Sequence, residues 1–450
     1  MATIAHEHAV PTQTHAEVTR DVIATLGKPS RGYVLMFVGA VFLFLIGLAT
    51  FVALVKEGLG LAGYNPPVMW SVYITTFVFW VGIGHAGTLI SAILYLFRSP
   101  WRTAVYRATE AMTVFAIMTA GLFPIIHIGR QWIFYWLLPY PNQRLLWPNF
   151  KSPLMWDVFA IGTYLTVSTT FLVVGLVPDI AAVRDKVSGW RKKLYGSLAL
   201  GWTGSDRQWR HYSRGYLYLA ALATPLVLSV HSVVSWDFAV GIVPGWHGTI
   251  FAPYFVAGAI YSGIGMVFTL LIPLRKVLKL EHMIQEHHFD NLAKLTLLTG
   301  SILFYAYAME YFIAWYSGVS WEQTTFYLRA FGPMWWAGWT MIICNAFVSQ
   351  LLWFKTIRTN VTALFIISIF INIGMWFERF VIIVSSLRND FDPFAWGQLT
   401  PTWADWGVLA GSFGWFLMYF LLFARTFPIV AIQEIKEMIP MPRKRPGGSH

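Results

Sequence analysis

A small set of ionisable side chains stands inside otherwise apolar stretches of this sequence: His85, His127, Asp157, His231, Asp237, Glu310, Glu378 and Arg379. A charge in lipid is costly, so each is a candidate for function. His127, Asp157 and Asp237 are the most informative. They fall near the ends of three successive apolar stretches, and an up-and-down path through a membrane brings them to one level. An imidazole beside carboxylates near a membrane surface suits proton exchange with a lipid-soluble molecule. A quinol sheds two protons as it gives up two electrons, and it needs bases within hydrogen-bond reach of its hydroxyls. His127 would take one proton, and Asp157 would orient the imidazole or take the other. Arg130, three residues after His127, is expected on the same helix face. Together with His231 and Trp156 it is expected to line the quinol site. The plain structural alternative is that Asp157 and Asp237 are interfacial residues touching water or lipid headgroups.

The deeper groups read differently. His85 lies in Gly84-His85-Ala86-Gly87, where small neighbours allow close helix approach. Glu310, Glu378 and Arg379 lie past the middle of their stretches, and with His85 they would form a proton path. Glu378 and Arg379 are adjacent, so they are expected to point apart and to pair with other helices. Structural hydrogen bonds between helices explain these four equally well. A b-type haem is not expected, because no span carries the repeated histidines of cytochrome b. Cys344 is the single cysteine and cannot hold an iron–sulfur cluster. No metal site is expected. Electrons from a quinol must then pass to a partner subunit.

The elements that position these residues follow from composition. Hydrophobic residues make up 57% of the 450 and charged residues 12%, against roughly 25% charge in soluble domains. Apolar runs of about 20 residues recur, each long enough to cross a bilayer. Backbone groups in lipid must be satisfied internally, so the runs are helices. The expectation is an all-α polytopic membrane protein with about ten spans: 34–55, 69–97, 109–136, 154–177, 216–239, 251–273, 293–316, 333–353, 362–386 and 407–427. The net charge of +11 does not indicate nucleic-acid binding, because the basic residues sit in loops, where they set orientation and meet anionic lipid.

Lys and Arg gather on one side, as in the 178–215 loop and in Arg443, Lys444 and Arg445 of the tail. The other side has Lys56, Arg130, Arg144, Lys151, Arg329 and Arg388. Both termini are therefore expected in the cytoplasm, with segment 1–33 and tail 428–450 on that side and no signal peptide. A weak repeat adds organisation. Gly82-Ile83-Gly84 recurs as Gly263-Ile264-Gly265, and Pro153-Leu154-Met155-Trp156 as Pro333-Met334-Trp335-Trp336, at nearly one offset. It implies two four-helix bundles, 69–239 with the quinol site and 251–386, flanked by 34–55 and 407–427. The aromatic stretch 132–156 would roof the site and meet a partner.

Four stretches together resemble the NrfD/PsrC family, the membrane anchors of quinone-linked iron–sulfur and molybdopterin oxidoreductases. They are Pro67-Val68-Met69-Trp70 running into Gly82-Ile83-Gly84-His85-Ala86-Gly87; Phe123-Pro124-Ile125-Ile126-His127-Ile128-Gly129-Arg130; Ser152-Pro153-Leu154-Met155-Trp156-Asp157; and the run from Ser229 through His231 to Asp237. Within the family the pattern is most similar to the ActC subunits of alternative complex III. The resemblance implies menaquinol or ubiquinol bound near the periplasmic face of a bacterial inner membrane, by His127, Asp157 and Asp237. It also implies electron transfer to a periplasmic iron–sulfur subunit and on to haem c subunits. A paralogous NrfD-like subunit is expected in the same complex, and proton translocation through the bundle is implied.

Other readings fit some of the same features. A polysulfide reductase anchor would run the reaction the other way and reduce quinone. Ten helices and a repeat also fit a secondary transporter, although transporters concentrate polar groups at the midplane. A purely structural anchor would make the histidine and aspartates incidental.

Overall fold

A computed structural model describes residues 14–439; the last stretch of the basic tail, with Arg443, Lys444 and Arg445, lies outside the described residues, as do positions 1–13. Nine helices among the described residues are long and apolar enough to cross a membrane. They are α1 (Arg31–Glu57), α2 (Val72–Leu96), α3 (Tyr106–His127), α4 (Pro153–Arg184), α5 (Asp206–Ala239), α6 (Phe251–Val277), α7 (Glu286–Tyr316), α9 (Val361–Arg388) and α10 (Trp403–Thr426). The expected eighth span is α8, a continuous winding over 335–353 that is shorter and passes through a π turn at Ile343–Phe347. The described residues contain helices and no named strand. The chain is an all-α, multi-pass integral membrane protein.

Glycines decide how closely these helices approach. A Cβ on Gly263 would stand 2.4 Å from the Ala86 Cβ and 2.7 Å from the Ile83 carbonyl oxygen. The repeated Gly-Ile-Gly motifs therefore press α2 and α6 together. These two helices are also the most enclosed, each 83% buried over its apolar window. Around this central pair α2 packs on α3, α3 on α4 and α4 on α5, while α6 packs on α7 and α9, and α8 on α9. The outer helices α1 and α10 pack on each other. Gly47 and Gly411 meet backbone to backbone, and a Cβ on either would come within 2.4 Å of the other's Cα. This is the small-residue contact by which helices associate in lipid, where no hydrophobic force drives them together.

The third span departs from expectation. It ends at His127 and does not run on to 136. Gly129 has φ +76, a left-handed turn that glycine adopts without penalty. Arg130 follows outside the helix, and 131–137 is a 3₁₀ segment. Arg130 is exposed and does not share a helix face with His127.

Candidate functional site

Polar side chains collect at three levels. At the first, the Tyr64 hydroxyl lies 2.7 Å from Nδ1 of His127. Tyr64 belongs to the loop between α1 and α2. That loop is fastened to the start of α10, where the Gly63 N–H donates to Asp405 Oδ2 at 2.9 Å and the Thr402 hydroxyl to the Leu61 carbonyl at 2.6 Å. Asp405 also closes a capping box with Thr402, a local signal readable in the sequence. Burial, then the neighbouring Tyr73 and Asp405, push the Tyr64 phenol well above its ordinary range, so the hydroxyl stays protonated.

Asp157 stands in the first turns of α4 and Asp237 in the last turn of α5. Their carboxyls interact directly, and Oδ1 of each has no hydrogen-bond partner. Antiparallel packing of α4 on α5 brings the two together. Trp156 donates its indole N–H to the Phe150 carbonyl at 2.8 Å and meets Trp236 edge to face at 6.1 Å. It is fixed beside the aspartates by its own loop. Among the described residues no hydrogen bond or ion pair joins His127 to either carboxyl. The structure thus shows two pairs, Tyr64–His127 and Asp157–Asp237.

His231 belongs to the second level. It lies six residues before Asp237 on α5, about 9 Å down the helix axis. Its ring centroid is 4.5 Å from that of His85. His85 bonds through Nδ1 to the Val81 carbonyl at 2.6 Å, while its Nε2 and both nitrogens of His231 are buried without partners. Arg379 lies over the Phe255 ring at 4.6 Å and against Gly258. Glu378 and Arg379 do not point apart: their side chains are in direct contact. In so dry a place an opposite charge within reach compensates strongly, and the long arginine chain reaches back to it. Tyr307 donates to Glu378, and the Asn345 amide donates to Tyr307 at 2.9 Å. Glu310, one turn beyond Tyr307 on α7, lines a separate cavity of about 550 Å³ with His247 and Glu322.

The third level, at the opposite end of α3 from His127, was not legible in the sequence. Arg107, two residues before the expected start of the third span, is fully buried. It donates to Glu110 at 3.1 Å, to Asp179 at 3.1 Å and to the Gly175 carbonyl at 2.7 Å. The Tyr216 hydroxyl donates to Glu110 at 3.0 Å. The Gln433 N–H donates to Asp179 Oδ1 at 3.0 Å, and Arg102 pairs with Glu434 at 2.7 Å. The Arg107–Glu110 spacing of three was a usable signal; Asp179 required the fold.

Among the described residues no group of three or more metal-ligating side chains stands together. What the first level offers is proton-accepting chemistry beside a membrane-spanning bundle. Comparisons with known proteins bear on what that chemistry serves. The chain is 28% identical over 255 residues to a putative dimethyl sulfoxide reductase membrane subunit of Halobacterium salinarum, covering 56% of this chain and 54% of that protein. The chain thus spans about half the length of that relative. It is 20% identical over 414 residues to a selenate reductase subunit of Mesobacillus selenatarsenatis, covering 87% of this chain and 93% of that one. Residues 60–388 match the family model described as polysulphide reductase, NrfD; that stretch takes in α2 to α9 with His127 and both aspartates, and the chain belongs to the NrfD family.

Proposed function

We propose that this chain is the quinol-oxidising membrane subunit of a bacterial electron-transfer complex. The quinol ring binds between the Tyr64–His127 pair and the Asp157–Asp237 pair. The observation that carries this reading is the His127 imidazole, held at Nδ1 by Tyr64 and only partly buried, at the end of a bundle whose aspartates form their own pair. With Nδ1–H donating to the Tyr64 oxygen, His127 has Nε2 free to accept one hydroxyl proton. Two interacting carboxyls hold a proton between them and can accept another. The quinol releases two protons and two electrons and leaves as quinone. Arg130 is too exposed to hold the ring, and we assign it to the surface beside the site. His231 we assign to the deeper group.

The electrons leave for an iron–sulfur subunit docked on the periplasmic face, with haem c subunits and a paralogous membrane subunit beyond it. An exposed apolar surface beside the site supports such docking: Trp132, Phe134, Leu145, Leu146, Trp147 and Phe150 all stand open. This is the aromatic roof of the site. A proton route through His231, His85, Arg379, Glu378 and Tyr307, with Glu310 at its exit, accompanies the reaction. Both termini face the cytoplasm of a bacterial inner membrane, and the helices form two four-helix bundles with α1 and α10 outside them.

A second reading keeps the same site in a different complex. The names of the two relatives, subunits of dimethyl sulfoxide and selenate reductases, favour a molybdopterin-type reductase as the electron acceptor over an alternative complex III. Proteins that co-purify with the chain decide between them: a molybdopterin subunit for one, haem c subunits for the other. The quinol site itself is tested by quinol-dependent reduction of the complex. His127→Ala and Asp157→Asn should each abolish most of it, and unchanged turnover in both would leave the chain a structural anchor.

A further inference from the structure

A trough of about 250 Å³ lies between α1, α3 and α10. We propose that it seats the isoprenoid tail of the quinol, an inference that rests on the quinol reading above and gives the substrate its path from lipid. Leu48 and Phe51 of α1, Thr119 and Ile126 of α3, and Gly411 and Trp415 of α10 form its walls.

Its position follows from two local features. The Gly47–Gly411 contact lets α1 and α10 touch along their backbones, so they present one joined wall. Opposite, the winding of α3 is interrupted at Gly121 and Leu122, just before Pro124. The hydroxyls within reach are turned away. Thr119 donates to the Phe115 carbonyl at 2.7 Å, and Ser412 donates to the Leu409 carbonyl at 2.7 Å and accepts from the Trp80 indole at 2.9 Å. The Trp415 indole N–H in the wall is without a partner but buried, so the surface offered to an occupant is apolar.

The occupant must also be long and arrive from the bilayer. The walls extend from Phe51 to Phe44 on α1 and from Val408 to Trp415 on α10, about 10 Å along each axis at 1.5 Å per residue. One end reaches Ile126, the residue before His127; the other lies toward the middle of both helices. Only 17% of the apolar window of α1 is buried, so this side of the molecule meets lipid. A chain that begins at a ring beside His127 and descends toward the bilayer centre matches that course. A phospholipid acyl chain shares the chemistry of the tail but begins at a phosphate, and no cation lines the trough.

The test uses membranes containing the whole complex, with Leu48→Trp and Thr119→Phe as two independent fillings of the trough. The reading is the ratio of KM for a quinol bearing an isoprenoid tail to KM for tailless tetramethylhydroquinone. Both variants should raise that ratio about tenfold, the effect of losing contact with about two buried methylenes. A ratio within about twofold of wild type in both variants overturns the tail site and leaves the quinol reading standing. Failure of wild type to oxidise either quinol overturns that reading and this one with it. In wild-type membranes, a diazirine-tailed quinone should label peptides within 44–51 and 408–415. Labelling displaced by excess tailed quinone but not by phospholipid supports the site; labelling displaced equally by phospholipid means an acyl chain only, and overturns it.

Discussion

The Tyr64 hydroxyl stands 2.7 Å from Nδ1 of His127, and among the described residues Nε2 of that ring has no hydrogen-bond partner. A hydrogen bond at one imidazole nitrogen fixes the ring's orientation and sets the role of the other. The residue in charge of that orientation comes from a loop pinned to α10 through Asp405. The outer helices, expected only to flank the bundle, therefore reach the site.

His127→Ala should lower quinol-dependent reduction of the complex by about 10² to 10⁴, the usual range for a positioned base. Tyr64→Phe removes only the orienting bond and should cost about fivefold, near 1 kcal/mol. Because burial holds the Tyr64 phenol above its ordinary range, it does not titrate near neutral pH. Tyr64→Phe should therefore lower the rate while both limbs of the pH–rate profile persist, any displacement reporting the imidazole that has lost its partner; disappearance of a limb would show that Tyr64 itself exchanges the proton.

Asp157 and Asp237 interact directly, so they should not behave as independent sites. Asp157→Asn and Asp237→Asn should each slow turnover, and the double variant should be little slower than the worse single one. Strict additivity of the two effects would mean that the carboxyls act separately.

Much of this arrangement was legible because lipid imposes one solution on an apolar run. The spans and the interior polar residues follow from that. The Gly-Ile-Gly repeat was read as marking two bundles; that it presses α2 against α6 came only from the fold. What escaped were relationships between residues distant in the chain. Nothing periodic links Tyr64 to His127 or Arg107 to Asp179. The overshoot of the third span came from reading Ile128 to Trp136 as apolar helix, when Gly129 turns the chain at φ +76. His231 was placed beside Asp237 by coarse depth, yet six residues of helix separate their levels and give His231 to His85. Glu378 and Arg379 were expected to diverge because neighbours on a helix do, and long side chains in a dry interior override that rule.

Glu378→Gln should separate electron transfer from proton movement. Glu378 accepts from Tyr307 and touches Arg379, far along the chain from the first-level pairs. In vesicles holding the complex, quinol-driven reduction should persist while any coupled proton uptake falls. Equal loss of both would show that Glu378 supports the fold or the site and not a separate route.

Gly411→Leu places a side chain where a Cβ already lies 2.3 Å from the Gly47 Cα. Helices α1 and α10 must move apart. The thermal midpoint of the detergent-solubilised protein should fall, by an amount matching the roughly 1–3 kcal/mol typical of overpacking. Activity should fall too, because α10 carries the Asp405 that holds the Tyr64 loop. An unaltered midpoint would mean that the two helices have room to adjust.

The Arg107 cluster provides the sharpest stability test. Its guanidinium is buried and serves two carboxylates and a backbone carbonyl. Arg107→Ala leaves Glu110 and Asp179 without their shared cation, a loss of about 3–5 kcal/mol for a broken buried pair. That is enough to deplete the folded chain from membranes, measured as protein recovered after mild detergent extraction. Lysine keeps the charge but not the planar fork that reaches Glu110, Asp179 and Gly175 together. Arg107→Lys should therefore rescue only part of the loss. Replacing all three charges, as Arg107→Met, Glu110→Gln and Asp179→Asn, should recover more than Arg107→Ala retains, because no uncompensated carboxylate remains. If the triple variant is as depleted as the single one, the cluster serves something besides its own neutralisation.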